Sequence, residues 1–138
     1  MSSVTKNSPG NGVKSWEELL AELERKEEQA KFGGGREKQK EQKEKGKMLC
    51  HERVRALVDP GSFVEINMLA ETQTFEYDMQ KKKILGDGVV TGWGTIEGRR
   101  VLVYSQDVTV FGGSAGRAHG EKINYLLVGL PDFIGKLR

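Results

Sequence analysis

The chain has very few of the residues that build metal sites and cross-links. Its 138 residues include one cysteine, Cys50, and two histidines, His51 and His119. One cysteine excludes an internal disulfide, and three Cys and His residues together are too few for a zinc site with four such ligands. Basic and acidic residues nearly balance, 22 against 20, which argues against a dedicated nucleic-acid-binding domain. We therefore expect no metal in this chain and no nucleic-acid partner.

Long apolar runs are also missing. No stretch approaches the roughly 20 apolar residues that a membrane-spanning helix needs. Residues 1–9 are polar, unlike the apolar region of a secretory signal. These absences predict a protein without membrane insertion, located in the cytoplasm or, in a eukaryote, in the mitochondrial matrix.

The polar residues are concentrated in the first third of the chain. Residues 1–14, rich in Ser, Asn and Gly, are predicted to form a flexible leader because they can bury little apolar surface. Residues 15–47 are predicted to form a charged helical segment. Ser15 and Glu18 have the spacing of a capping box, in which each side chain accepts a hydrogen bond from the other residue's backbone. One apolar stripe at helical spacing follows, made of Trp16, Leu19, Leu20 and Leu23.

The end of this segment is basic. Residues 31–47 contain seven basic residues and three acidic ones, a local excess in a nearly neutral chain. Two interpretations stay open for this run. It is either a solvated helix face or linker, or a patch that binds a polyanionic small ligand or an acidic partner surface.

Residues 48–138 are predicted to form the folded body. A short helix over 51–58, with Val54, Leu57 and Val58 facing inward, ends at the Pro60-Gly61 turn. A strand over 63–66 and an irregular surface excursion over 72–83 follow. The clearest local pattern is a β-hairpin of residues 88–96 and 100–105. Both faces of its second strand are fairly apolar, which predicts a strand covered on both sides.

The segment after the hairpin carries the strongest chemical pattern. A strand runs into Gly112-Gly113-Ser114 and then into a helix, for which Ser114 is the predicted N-cap. We expect Ile123, Leu126 and Leu127 on the buried side of that helix. Backbone N–H groups at such a corner can face a carboxylate, phosphate or thioester oxygen. Plain turn and cap chemistry is the alternative.

Several segments together resemble the front of the carboxyltransferase (β) subunit of biotin-dependent acyl-CoA carboxylases, of the propionyl-CoA and methylmalonyl-CoA type. Their order and spacing fit over roughly residues 16–123. The matching pieces are Gly33-Gly34-Gly35, Lys45-Gly46-Lys47 leading into Glu52-Arg53-Val54, residues 57–65, 86–92, 94–99 and 106–114, then His119 and Lys122-Ile123.

The resemblance implies a fold and a reaction. The fold is α/β, an incomplete crotonase-like ββα unit preceded by N-terminal helices. The reaction moves a carboxyl group between carboxybiotin and the α-carbon of an acyl-CoA, in either direction. Acyl-CoA is then the substrate, and biotin is carried on a partner protein or domain. The implied partners are biotin carboxylase and biotin carrier components, with a homo-oligomer in the full-length form.

The resemblance also suggests which residues act. This family uses glycine-rich turns as oxyanion holes, and the S-G-G-A-R-like turn that supplies one of them is not reached before Arg138. We therefore expect no catalytic residue in this chain, which should be inactive alone but should contribute acyl-CoA binding. The candidate CoA-binding residues are Arg36, Lys40, Lys43, Lys47, Arg53, Gly112, Gly113 and Ser114.

Two residues have expected structural roles and not functional ones. Cys50 is interpreted as a buried hydrophobe and His119 as a helix residue with a structural hydrogen bond. The family commonly has arginine where this chain has His51, so the resemblance gives no CoA contact to residue 51.

Two other functions stay open. One is a non-catalytic module that docks on another subunit through the Trp16 helix and the hairpin, and the other is a truncated remnant without activity.

Overall fold

The computed structural model describes residues 13–71 and 83–130. Most of the predicted excursion over 72–83 lies outside the described residues, as does most of the predicted leader. The described elements, in chain order, are α1 (Trp16–Lys31), α2 (Arg36–Glu44), α3 (Cys50–Leu57), β1 (Val64–Ile66), β2 (Val89–Ile96), β3 (Arg99–Gln106), a 3₁₀ turn (Phe111–Gly113), α4 (Arg117–Asn124) and a π-helical turn (Tyr125–Gly129).

The first helix begins where its capping box predicts. The Ser15 N–H donates to Glu18 Oε2 at 2.7 Å, and the Glu18 N–H donates to Ser15 Oγ at 3.2 Å. The apolar stripe of α1 is exposed, since Trp16 is 72% and Leu20 41% accessible. Ala30 is the one buried residue of this helix. The capping box therefore starts α1 as predicted, but within the described residues little packs against the apolar face of this helix.

The three strands form one antiparallel sheet with β2 in the middle. Glu97 and Gly98 connect β2 to β3, and their φ angles of 51° and 74° are those of a tight hairpin turn. The Asp59 carboxylate, at the end of α3, accepts hydrogen bonds from both of these backbone N–H groups, at 2.9 Å and 3.0 Å. The predicted hairpin is confirmed.

The prediction that β3 is covered on both faces is wrong. Val103 is 7% exposed, but its neighbour Tyr104 is 50% exposed. Because β3 is the edge strand of the described sheet and α3 packs on one face alone, alternate residues of β3 face outward. The central strand β2 is the covered one, with residues 89–92 all buried.

The core of the body lies between α3 and the sheet. Its buried members are Cys50, Val54, Val58, Val90 and Val103. Leu57 was expected in this core and is 56% exposed instead, because it lines an open groove between α3 and β3.

Candidate functional site

The glycine corner after β3 is closed on itself. The Gly113 N–H donates to the Val110 carbonyl oxygen at 2.9 Å, and the Ser114 N–H donates to the Phe111 carbonyl oxygen at 3.2 Å. The φ angles of Phe111, Gly112 and Gly113 are all positive, which bends the chain sharply. These two N–H groups are already bonded, so a ligand at this corner would meet its surface and not a pair of free amides.

The prediction that Ser114 caps the next helix is wrong. Ser114 is extended and ends the 3₁₀ turn, whereas α4 begins at Arg117 after Gly116. The cap comes from a distant turn, where Asp87 Oδ2 accepts the His119 N–H at 2.8 Å. A Cβ atom at Gly116 would lie 2.9 Å from that oxygen, so glycine lets the carboxylate approach. The positive end of the helix dipole thus faces a carboxylate of the protein itself.

A buried polar cluster holds α4 against the turn that carries Asp87. His119 is 1% exposed, and its Nδ1 lies 3.1 Å from the Asp87 carbonyl oxygen. Lys122 is 3% exposed, and its Nζ donates to the carbonyl oxygens of Gly86, at 3.0 Å, and Val89. Burial, opposed by Glu65 and Asp87, lowers the pKa of Lys122 to about 8. The structural role expected for His119 is confirmed.

The buried side of α4 differs from the one expected. Ala118, Lys122, Leu126 and Leu130 are buried, and Leu127 is 52% exposed. These four buried residues recur at a spacing of four, so the chain places a lysine in the stripe that faces the sheet. The prediction that Leu127 faces inward is therefore wrong, whereas Leu126 is buried as expected.

The three basic candidates on α2 lie together. Arg36, Lys40 and Lys43 line one open cavity of about 510 Å³ together with Glu44 and Leu49, and Lys40 Nζ lies 3.8 Å from Glu44 Oε1. The Arg36 guanidinium lies 4.3 Å from the centroid of the Phe32 ring, which orients it without using its N–H groups. Lys43 Nζ is 2.7 Å from Glu52 Oε1, a contact that links α2 to α3. We call this cavity the α2 groove.

The other candidates are placed elsewhere. Arg53 Nε donates to Ser105 Oγ at 3.2 Å, and its Nη2 donates to the Gln106 carbonyl oxygen. Arg53 therefore ties α3 to the end of β3 and lines a different cavity, of about 420 Å³. Lys47 is exposed, three residues beyond the end of α2. Ligand binding by all eight candidates stays a prediction.

His51 and Cys50 stand side by side with different roles. His51 Nε2 lies 3.0 Å from Glu65 Oε2, so the histidine that stands where the family commonly has arginine pairs with a residue of β1. Cys50 is 4% exposed and belongs to the core. Burial, together with the nearby Asp107 carboxylate, raises the pKa of the Cys50 thiol to about 12. Its interpretation as a buried hydrophobe is confirmed.

Within residues 13–71 and 83–130, no group of three Cys, His, Asp or Glu side chains is arranged to hold a metal ion. Across the same residues, no helix combines the length and apolar character of a membrane span.

Sequence reasoning missed one contact altogether. The glycine run 33–35 was noted only among the pieces that carry the family resemblance, but the Gly34 N–H donates to Thr109 Oγ1 at 3.0 Å. This contact joins the helical segment to the loop before the glycine corner, 75 residues further along the chain. Three consecutive glycines, where one would end a helix, were the available signal.

Comparison with curated proteins finds propionyl-CoA carboxylase subunits. The propionyl-CoA carboxylase beta chain of Cereibacter sphaeroides is 46% identical over 106 residues, which is 77% of this chain and 21% of that protein. The biotin-dependent acetyl-/propionyl-coenzyme A carboxylase beta5 subunit of Mycobacterium tuberculosis is 42% identical over 132 residues, 89% of this chain and 24% of that protein. The chain thus spans between a fifth and a quarter of the length of these curated relatives.

Solved structures give the same picture of the fold. The transcarboxylase 12S hexamer, determined with methylmalonyl-coenzyme A and methylmalonic acid bound, matches 83% of this chain and 22% of its own, with a TM-score of 0.79 and 36% identity. A single-chain, multi-domain long-chain acyl-CoA carboxylase matches 78% of this chain and 12% of its own, with a TM-score of 0.71 and 25% identity. The expected α/β architecture, an incomplete crotonase-like unit preceded by helices, is confirmed.

A family model settles the relationship. The model described as the carboxyl transferase domain matches residues 41–127, well over half of the chain. The match begins within α2 and ends inside the π-helical turn, so it includes all of the described body except residues 128–130. The chain belongs to the carboxyl transferase domain family.

Proposed function

We propose that this chain is the acyl-CoA-binding front portion of a biotin-dependent acyl-CoA carboxyltransferase that acts on a propionyl-CoA-like substrate. The observation that carries the proposal is the α2 groove, whose lining contains three basic residues, Arg36, Lys40 and Lys43, against one acidic residue, Glu44. Coenzyme A presents a 3′-phosphate and a pyrophosphate, and lysine and arginine bind such groups as point charges and as planar forks. The curated relatives carry the names of propionyl-CoA carboxylase subunits.

The reaction needs stabilisation of two anions, the enolate of the acyl-CoA and the ureido anion of biotin. Preorganised N–H donors lower the energy of such anions most effectively. The Gly113 and Ser114 amides are already bonded within their turn. We therefore assign Gly112, Gly113 and Ser114 to the wall of the acyl site and not to enolate stabilisation.

The proposed setting is a larger assembly. Biotin would arrive on a carrier component charged by biotin carboxylase, and the full-length protein would form homo-oligomers in the cytoplasm or the mitochondrial matrix. The names of the relatives support this setting, since one is a biotin-dependent carboxylase subunit and another solved relative is a hexamer.

Calorimetric titration of the 138-residue chain with propionyl-CoA and acetyl-CoA tests the proposal. Lys40→Glu and Lys43→Glu should each weaken binding about tenfold or more, because each loses a charge-assisted contact and adds repulsion. Lys26→Glu is the matched control, since Lys26 lies on α1 beside Glu22 and outside the groove. Absence of heat with either thioester would contradict acyl-CoA binding, whereas unchanged affinity in both groove variants would contradict the residue assignment.

A docking module is the second candidate, and the exposed stripe of α1 favours it. Trp16 and Leu23, 72% and 42% accessible, offer apolar surface that a partner subunit could cover. This function requires no thioester, so the same titration separates it from the first.

A further inference from the structure

A joint between two glycines and one threonine connects the α2 groove to the glycine corner. Thr109 is 3% exposed, and its hydroxyl donates to Asp107 Oδ1 at 2.7 Å. The Thr109 N–H donates to the same oxygen at 2.9 Å. Because a hydroxyl has one donor and two acceptor lone pairs, this arrangement directs an acceptor toward the Gly34 N–H, 3.0 Å away. Each partner in the joint is thus held by another.

The joint leaves no room for side chains. A Cβ atom at Gly33 would lie 2.1 Å from Asp107 Oδ2, and one at Gly34 would lie 1.8 Å from the Thr109 carbonyl oxygen. Both distances are far below van der Waals contact. Gly35, by contrast, has no neighbouring atom within 4 Å of the same position. The first two glycines therefore serve close packing and not the end of a helix alone.

Both proposed binding surfaces begin within a few residues of this joint. The groove residue Arg36 follows Gly34 by two positions, and Gly112 follows Thr109 by three. An extended chain covers at most about 7 Å and about 11 Å over these separations. Gln39 Nε2 also donates to the Lys31 carbonyl oxygen at 2.9 Å, which ties the start of α2 to the end of α1. Movement at the joint would therefore change the separation of groove and corner directly.

We propose that Gly33, Gly34 and Thr109 are positioning residues that fix the α2 groove relative to the glycine corner, so that the phosphate end and the thioester end of one acyl-CoA bind together. This inference rests on the proposed function. A ligand that contacts two surfaces gains affinity from the second contact only if the surfaces are held at the matching separation. The joint should then matter for a ligand that bridges both surfaces and not for one that contacts the groove alone.

The test compares two ligands and two variants. Thr109→Val removes the acceptor for the Gly34 N–H while keeping the shape of the side chain, and Thr109→Ser keeps the acceptor. Propionyl-CoA is the bridging ligand, and adenosine 3′,5′-bisphosphate carries the phosphate end without the thioester. We expect Thr109→Val to weaken propionyl-CoA binding about tenfold, to change the bisphosphate affinity less than twofold, and to be rescued by Thr109→Ser.

Two other results would separate the positioning role from the proposed function. Equal losses for both ligands, or no loss for propionyl-CoA, overturn the positioning role while leaving the proposed function in place. Failure of the unsubstituted chain to bind propionyl-CoA overturns the proposed function and the inference with it.

If the Thr109→Val chain misfolds, hydrogen exchange of the unsubstituted chain still tests the inference. Amide exchange at Gly34 should slow by at least about threefold when propionyl-CoA is added and should stay unchanged with the bisphosphate, because only the bridging ligand holds the joint closed. Exchange that is the same with and without propionyl-CoA would contradict the inference. Gly120→Ala is the control: a Cβ atom added at this position of α4 would meet nothing within 4 Å outside its own helix, so both affinities should stay unchanged.

Discussion

The arm, residues 13–47, and the body, the described residues 48–71 and 83–130, use apolar and polar residues in opposite ways. The arm has a regular apolar stripe, yet Trp16 and Leu19 are 72% and 45% exposed. The body has weaker periodicity but buries Asp87, His119 and Lys122 almost completely. A pattern of apolar residues thus predicts a helix, whereas the burial of its apolar face depends on which other elements pack against it.

The largest expected effect is at the buried polar cluster of the body. Asp87→Ala removes the acceptor of the His119 N–H and a carboxylate near the Lys122 ammonium. We expect a loss of about 3 kcal/mol in the free energy of unfolding, measured by urea titration, because the start of α4 loses its side-chain acceptor and the buried cation loses one of its two nearby carboxylates. Glu37→Ala, on the exposed surface of the arm, is the control and should change stability by less than about 0.5 kcal/mol. Similar losses in both variants would erase the contrast.

A second pair of variants sharpens the comparison within one helix. Val54 is 1% exposed and Leu57 is 56% exposed, although both are apolar residues of α3. Val54→Ala should cost about 2 kcal/mol by the same urea titration, since it leaves a cavity in the core. Leu57→Ala should cost less than about 0.5 kcal/mol. A larger loss at Leu57 would mean that the groove between α3 and β3 is closed in solution.

The pH dependence of stability tests the burial of Lys122. Its pKa of about 8 in the folded chain lies below the ordinary value of 10.5. The unfolded chain therefore holds more protons above pH 8, and stability should rise with pH by up to about 1.4 kcal/mol per unit. The Cys50 thiol, raised from 9.0 to about 12, acts in the opposite direction above pH 9. The informative window is pH 8 to 9, where Lys122→Met should abolish the rise; an identical slope in that variant would refute the assignment.

The smallest effect is expected at the apolar stripe of the arm. Trp16→Phe and Leu20→Ser change exposed positions and should each alter the unfolding free energy by less than about 0.5 kcal/mol. Trp16→Phe also leaves Trp93, in β2, as the remaining tryptophan, so its fluorescence reports on the body alone. A loss of more than about 1 kcal/mol in either variant would show that the stripe is covered in solution, for example by a second chain.

Local signals in the sequence explain which parts of the fold were predictable. The capping box at Ser15, the two neighbouring runs of the hairpin and the breaker at Pro60 are patterns of residues close together in the sequence, and each predicted its element correctly. The cap of α4 was not predictable, because Asp87 reaches it from 32 residues away. Long-range polar contacts leave no periodic pattern in the sequence, so the sequence alone does not distinguish the buried Lys122 from an exposed lysine.

The candidate site shows the same division. Arg36, Lys40 and Lys43 are spaced at three to four residues, so helix geometry alone brings them to one face of α2. Arg53 has the same charge and lies in another cavity, because its helix packs on the sheet and its guanidinium bonds the end of β3. The joint at Gly34 and Thr109 depends on tertiary packing between segments far apart in the chain, which spacing cannot reveal.

Native-state hydrogen exchange tests the contrast between arm and body most directly. The amides of the buried strand β2, residues 89–92, should exchange only through global unfolding of the body. The amides of residues 19–23 in α1, whose helix has Ala30 as its one buried residue, should exchange at least about a hundredfold faster, through local opening of the arm. Equal protection of α1 and β2 would contradict a body that folds as one unit with a loosely covered arm.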